Sequence, residues 1–330
     1  MLKTITLLTA LLLPAVAAEA KLKVVTTAPD FADLARQIGG DLVEAHSVMR
    51  GPENVHNVMA KPTEMVKLNQ ADLFVHTGLD AEPWRDNLLK GARNPRVLPG
   101  KPGNVDMSDG VELKDVPVGR VDRSMGDQHA YGNPHYTLSG DHAGRMVVTL
   151  VRAMAAADPA NADAYRANAK AVIASIADAQ REARAMLAPY RGMKVYAFHD
   201  AWDYLADGLG ITVAGTIEPQ PGITPSAAQV RQVIERMKAD DARVVIVETY
   251  SDQDLARRVA EAAGAQVVVL PDHVNGVPEA DTYQNLLRYN ARRLAEAARA
   301  AGVTATGAAD AAGATRSPGG EKADDAARGG

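Results

Sequence analysis

Residues 162–187 (ADAYRANAKAVIASIADAQREARAML) narrow the possible folds more than any other part of this chain. The run is dense in Ala, with three Arg, and holds neither Gly nor Pro, so it is helical by propensity alone. At 1.5 Å per residue it reaches on the order of 40 Å, longer than the helices that normally cover a sheet. Strand-like and helix-like segments alternate on both sides of it. A rigid connector between two α/β halves explains that arrangement better than one long surface helix on a single lobe. The 330 residues suit such a plan, being the length of about two domains.

Before the connector, residues 21–27 (KLKVVTT), 42–49 and 71–77 (ADLFVHT) read as strands. A helix is expected over 31–38, stopped by Gly39-Gly40, and another opens at Pro62 with Glu64 in its first turn. Residues 94–132 are rich in Gly, Pro and Asp, with a strand-like piece at 111–113. From Asp141 the pattern is helical to Leu187, broken once at 158–162. After the connector, strands are expected at 194–198, 211–217, 244–248 and 265–270, and helices at 202–209, 225–239, 255–263 and 282–300. Such alternation predicts parallel sheets covered on both faces. The expected units are 1–20 as a signal peptide, 21–157 as an N-terminal lobe, 158–188 as the connector, 189–302 as a C-terminal lobe, and 303–330 as a disordered Ala/Gly-rich tail.

Lys3, the apolar run 5–16 and the small residues Ala18 and Ala20 form the pattern of a cleaved secretory signal peptide. The run is too short to span a bilayer and Pro14 interrupts it. No later stretch approaches spanning length. A net charge of −5 lacks the basic footprint of a nucleic-acid binder. The chain has no Cys, which excludes disulfide scaffolds, thiol nucleophiles, Cys-based metal sites and cysteine-linked lipid anchors. The expected location is therefore the periplasm, without lipidation. Any metal must be held by nitrogen and oxygen.

Eight histidines are available, and no HExxH, P-loop or G-x-S-x-G pattern accompanies them. His199 and Asp272 directly follow expected strands. His56 lies in the loop after 42–49, and His135 lies just before a helix. Ligands in open α/β sheets gather beyond the carboxyl ends of strands, and three imidazoles with one carboxylate would complete a tetrahedral zinc site. The four residues are each more than 60 positions from the next. Position alone therefore leaves open both a shared site and four solvated side chains. Asp200 and Asp203 read first as N-cap and first-turn acids of the helix that follows, with a ligand-orienting role for Asp200 as the alternative.

The residues also carry a resemblance. His56-Asn57-Val58 with Lys61-Pro62-Thr63, the run 71–75 (ADLFV) and Gly78-Leu79-Asp80-Ala81-Glu82-Pro83-Trp84 are similar to segments of the metal-specific solute-binding proteins of bacterial ABC importers, the zinc/manganese group known as cluster A-I. Asn133-Pro134-His135, Phe198-His199-Asp200-Ala201, residues 270–275 and Asp281-Thr282-Tyr283 continue the likeness in order. It implies two α/β lobes with parallel sheets, one long connecting helix and a metal in the cleft between the lobes. By that resemblance His56 and His135 come from the first lobe, and His199 and Asp272 from the second. Two departures stand out. Tyr136-Thr137-Leu138-Ser139-Gly140 replaces the usual Trp-Leu-Asp-Pro after His135. The long His-rich insertion of many zinc members is reduced to a segment containing His129, which could assist metal capture or be a solvated loop residue.

The resemblance implies capture of Zn²⁺ and delivery to a cognate ABC permease in the inner membrane by a non-enzymatic, monomeric carrier. A periplasmic metallochaperone is a second candidate partner, and nucleic acid is not one. His rather than Glu at the third ligand position leans towards zinc over Mn²⁺, because imidazole suits zinc better. The alternatives are a manganese carrier of the same type, a three-His zinc hydrolase with Asp272 as base, and an adhesin-like or structural role. His46, His76 and His142 are expected to be structural or exposed, and the side chain of His273 to point away from the ligands.

Overall fold

The computed structural model describes residues 20–119, 121 and 125–304, so the expected signal peptide up to residue 19 and the expected tail from residue 305 lie outside the described residues. The first half runs β1 (Leu22–Thr26), α1 (Pro29–Gly39), β2 (Val43–Ser47), α2 (Pro62–Asn69), β3 (Leu73–His76), α3 (Arg85–Ala92) and β4 (Asn104–Asp106). Then come α4 (Gly140–Ala157) and the long α5 (Ala162–Leu187). The second half runs β5 (Lys194–Ala197), α6 (Asp203–Leu209), β6 (Thr212–Thr216), α7 (Ala227–Ala239), β7 (Val244–Glu248), α8 (Gln253–Ala263), β8 (Gln266–Leu270) and α9 (Tyr283–Ala300).

Both sheets have four strands and the same winding, β2-β1-β3-β4 and β6-β5-β7-β8. Every pairing is parallel. Alternate residues of a strand face opposite sides of its sheet, and the cores follow that period. Val24, Leu73 and Val75 join one apolar cluster while Val25 and Phe74 join another. In the second sheet Val195, Ala197 and Ile246 face one cluster, and Tyr196, Val245 and Val247 the other. Layers cover both faces, as the alternation of segments predicts.

α5 is the strut between the sheets. Its buried positions Tyr165, Ala169, Val172, Ile176 and Ala179 belong to the first-lobe cluster, and Ala183 and Leu187 to a second-lobe cluster. The same cluster that holds Phe31 and Leu34 of α1 also holds Val274, Ala280, Tyr283 and Leu286. The lobes are also joined by polar contacts. Tyr283 N–H donates to Asp33 Oδ2 at 2.9 Å, and His273 Nδ1 lies 2.6 Å from Asp30 Oδ2. Among the described residues, no helix is long and apolar enough to cross a membrane.

Three local expectations need correction. The strand-like piece at 111–113 is irregular, and the fourth strand lies instead at Asn104–Asp106 beside β3. Val111 is buried there without pairing, so burial rather than a ladder explains its apolar character. α3 is not among the expected helices; it buries Leu88, Leu89 and Ala92. Asp200 does not cap α6: Trp202 holds the N-cap position with no side-chain bond, and Asp203 is the first helical residue.

Candidate metal centre

His56 sits in a short 3₁₀ turn (Val55–Asn57) just beyond β2, begun by Asn54, whose Oδ1 accepts from His56 N–H at 2.8 Å. The segment 78–84 holds that turn from behind. Gly78, Leu79 and Asp80 all have positive φ (78°, 54° and 59°), and a Cβ on Gly78 would lie 2.2 Å from Asp106 Oδ1. This tight bend presents the Ala81 carbonyl, which accepts from His56 Nδ1 at 3.0 Å. Trp84 Nε1 donates to Val55 O at 2.7 Å, and Glu82 Oε1 accepts from Thr77 N and Thr27 Oγ1. With Nδ1 carrying the proton, Nε2 of His56 keeps a free lone pair.

The other imidazoles are held in the same way. His135 opens a 3₁₀ turn (His135–Leu138), and its Nδ1 is 2.9 Å from Asn133 Oδ1. His199 follows β5, with Nδ1 2.8 Å from Glu218 Oε2. One nitrogen from each of His56, His135 and His199 lies within 4.8 Å of the others, and all three residues are buried. Nε2 of His56 and of His135 is buried without a hydrogen-bond partner. Unpaired buried polar atoms are rare, and converging imidazole nitrogens with fixed tautomers suit a soft-to-borderline divalent cation.

His129 is a fourth imidazole at this place. Its ring centroid is 4.8 Å from that of His56 and 6.4 Å from that of His135, and its Nε2 is also buried and unpartnered. The backbone of Leu79 and Asp80, in the same left-handed bend, hydrogen-bonds this ring. The segment carrying it docks on the second lobe, where Asp127 N–H donates to Pro221 O at 2.8 Å. His129, His135, His199, Asp115, Asp127 and Asp200 line a small cleft of about 40 Å³.

Asp272 is buried beyond β8, 1 % exposed, but it is not part of the group of atoms within 4.8 Å. Tyr250 OH donates to its Oδ2 at 2.8 Å, while its Oδ1 has no partner. The His273 side chain does not point away from the ligands: its Nδ1 lies 2.6 Å from Asp30 Oδ2 and its Nε2 3.7 Å from Oδ2 of Asp272, so the ring sits between two buried carboxylates. His46 pairs with Glu64 at 2.5 Å, His76 with Asn104 at 3.0 Å, and His142 meets the Tyr204 ring edge-on.

The electrostatics divide the imidazoles. Burial, and then neighbouring imidazoles, push His56 and His135 well below the usual 6.5 and His129 to about 4. Burial also opposes charge on His199, but the Glu218 hydrogen bond and the nearby Glu248 outweigh it and raise this group. Burial raises Asp272, and His273 and Tyr250 partly offset the effect. Charge is thus disfavoured on the first-lobe imidazoles and favoured on His199, where an incoming cation competes with a proton.

A family model described as "ZnuA: Zinc-uptake complex component A periplasmic" matches residues 24–297. The chain belongs to this family. Manganese ABC transporter substrate-binding lipoprotein PsaA of Streptococcus pneumoniae is 24% identical over 288 residues, covering 84% of this chain and 88% of its own. High-affinity zinc uptake system protein ZnuA of Paracoccus denitrificans (strain Pd 1222) is 24% identical over 308 residues, covering 83% and 91%. Iron-binding protein YfeA of Yersinia pestis is 26% identical over 270 residues, covering 78% and 79%. The solved structure titled "Crystal structure of ZnuA" matches with a TM-score of 0.70 at 25% identity, covering 84% of this chain and 99% of that one. This ZnuA-family protein is a metal-binding substrate-binding protein of ABC transport. Its relatives are transport proteins and not enzymes, which sets aside the hydrolase reading.

Sequence reasoning missed the groups that orient the ligands of this ZnuA-family site. Glu218 directly follows an expected strand, 211–217, and that position was a usable signal. Asp200 contributes its backbone carbonyl, which accepts from Asn133 Nδ2 at 3.3 Å, rather than a carboxylate on His199. Tyr250, which bonds Asp272, carried no signal at all.

Proposed function

We propose that this protein captures Zn²⁺ in the periplasm, as a carrier without a lipid anchor, and delivers it to a cognate ABC permease. The proposed ligands are His56, His135, His199 and Asp272. The observation that supports this most strongly is the tautomer arrangement. Each of the three imidazoles has Nδ1 occupied by an acceptor, two of them with an unpartnered, buried Nε2. A carboxylate behind one ring and carbonyl oxygens behind the other two are the outer partners that sharpen zinc ligands. Asp272 supplies the fourth bond through Oδ1, turning towards the imidazoles as the ion enters. His129, lining the cleft, acts in first capture. We take the carrier to be a monomer that also receives zinc from a periplasmic metallochaperone.

Four protein ligands leave no position for a metal-bound water, as a storage or transfer site requires and a hydrolytic site does not. Imidazole-rich ligation favours zinc over manganese. Competition titration of chelated protein with Zn²⁺ and Mn²⁺ at neutral pH tests both statements. Zinc is expected to bind at least about tenfold more tightly than Mn²⁺, and both His56→Ala and His199→Ala should abolish tight binding. Manganese binding as tight as zinc, or zinc binding indifferent to both variants, would refute this reading.

A further inference from the structure

The three proposed imidazole ligands differ in what stands behind them. A backbone carbonyl holds His56 and a carboxylate holds His199, but a neutral side-chain amide holds His135. That amide uses every polar position it has. Asn133 Oδ1 accepts both from His135 N–H at 3.0 Å and from its Nδ1 at 2.9 Å. Asn133 Nδ2 donates to Asp115 Oδ2 at 3.2 Å and to Asp200 O at 3.3 Å. Flipping the amide would set its NH₂ against two N–H groups and its oxygen against two acceptors, so the pattern admits one orientation.

We propose that Asp115 is a positioning residue of the metal site, acting on His135 through the Asn133 amide. Its carboxylate fixes the amide with oxygen towards His135, which keeps the ring in its Nδ1–H form with Nε2 free for the cation. It also polarises the amide, so that part of a carboxylate's effect reaches the ring. This deepens the zinc-site reading and rests on His135 being a ligand.

The surrounding chain is built to bring these two residues together. Asn133 N–H donates to Lys114 O at 2.9 Å. Gly132 sits between them at φ 118°, where a Cβ would lie 2.9 Å from that same carbonyl oxygen. Tyr204 OH donates to Asn133 O at 3.0 Å and accepts from Lys114 N–H at 2.9 Å, clamping both arms from the second lobe. Asp115 itself is held at φ 52°, a left-handed conformation that Asp tolerates better than most residues. Segments 18 residues apart are thus fixed by backbone contacts with Asp115 facing Asn133.

The test is zinc affinity of the whole protein, measured by chelator competition at fixed pH and ionic strength. Asp115→Gly removes the carboxylate without straining the left-handed backbone, and should weaken binding about tenfold, the lower end for a group behind a ligand. Asn133→Asp alone sets two carboxylates against each other and should also weaken binding about tenfold. Combining Asn133→Asp with Asp115→Asn should recover at least about threefold of the affinity lost in Asn133→Asp, because the new amide at 115 donates to the new carboxylate at 133, which still faces the Asp200 carbonyl. A purely structural role would lower the thermal midpoint of the single variants and leave the zinc affinity of the folded protein unchanged. Affinity within about twofold of the parent for Asp115→Gly, or additive losses in the double variant, overturns the proposal. His135→Ala serves as the control: if it leaves zinc binding intact, the reading of the site itself fails, and not only the role of Asp115.

Discussion

Replacing Glu218 with Gln would test how the second lobe contributes to metal binding, because it removes one charge with little change in volume. Glu218 Oε2 lies 2.8 Å from His199 Nδ1 and also accepts from Gly222 N–H at 2.9 Å, so an amide oxygen can keep the geometry. Two effects follow, with opposite signs. Losing a carboxylate behind a ligating imidazole typically weakens metal affinity 10–100-fold, about 1.4–2.7 kcal/mol. Losing the same carboxylate also lets burial lower His199, which it now opposes. In the parent, His199 is raised, so it is charged below its elevated pKa and bound metal must displace that proton. Proton competition therefore costs about tenfold in affinity per pH unit below that pKa, and nothing well above it. Each unit by which Glu218→Gln lowers His199 removes about tenfold of that competition. The variant should bind 10–100-fold more weakly at about pH 8 and approach the parent towards about pH 5. Chelator competition across that range reads the convergence. A constant ratio at all pH values would show that Glu218 does not act through the basicity of His199.

Three further outcomes follow from the same geometry. Because burial disfavours charge on His56 and His135, zinc binding between about pH 5 and 6.5 should release about one to two protons, from His199 and the raised Asp272; a slope of three or more in log affinity against pH would contradict that division. Gly51→Ala places a Cβ 2.1 Å from the Asn275 carbonyl carbon and 2.4 Å from Gly276 N, backbone atoms that cannot swing aside. It should cost about 1–3 kcal/mol, visible as a lowered thermal midpoint, and weaken zinc binding by displacing the loop that carries Asp272; an unchanged midpoint would mean the lobes meet there less tightly. His129→Ala should slow zinc association in stopped-flow while costing about tenfold or less at equilibrium, whereas His56→Ala costs about a hundredfold or more; equal losses would make His129 a permanent ligand.

Much of the architecture was legible because it rests on patterns that local sequence must carry. The 26-residue α5 declares itself by composition, and the buried central strands by runs such as VVIVE in β7. β4 was misplaced because three residues that pair on one side only need little pattern, while Val111 is apolar for another reason. His56, His135 and His199, which the structure brings together, stand after strands or before a helix, but it took the family resemblance to single them out from the other histidines. Of their outer partners, Glu218 alone has a telling position, directly after an expected strand, and even there the contact itself is not recorded. Glu218, Asn133 and Ala81 act through orientation at distances of 2.8–3.0 Å, and nothing in a linear sequence records which way an amide or a carbonyl faces.

The contacts that unite the two lobes also set an order for folding. Asp30 meets His273 across 243 residues of chain, Asp33 meets Tyr283 across 250, and Gln37 meets Gln284 across 247. Phe31 and Leu34 share their cluster with Tyr283 and Leu286. The first lobe therefore cannot close its core until the last helix of the second has been made. Contacts of such long range are slow to form, since the intervening loop must be closed before they contribute. Until α9 docks, α1 leaves apolar surface exposed, so a nascent or refolding chain stays open for most of its synthesis. Refolding should lag until that helix arrives, and then complete both lobes together.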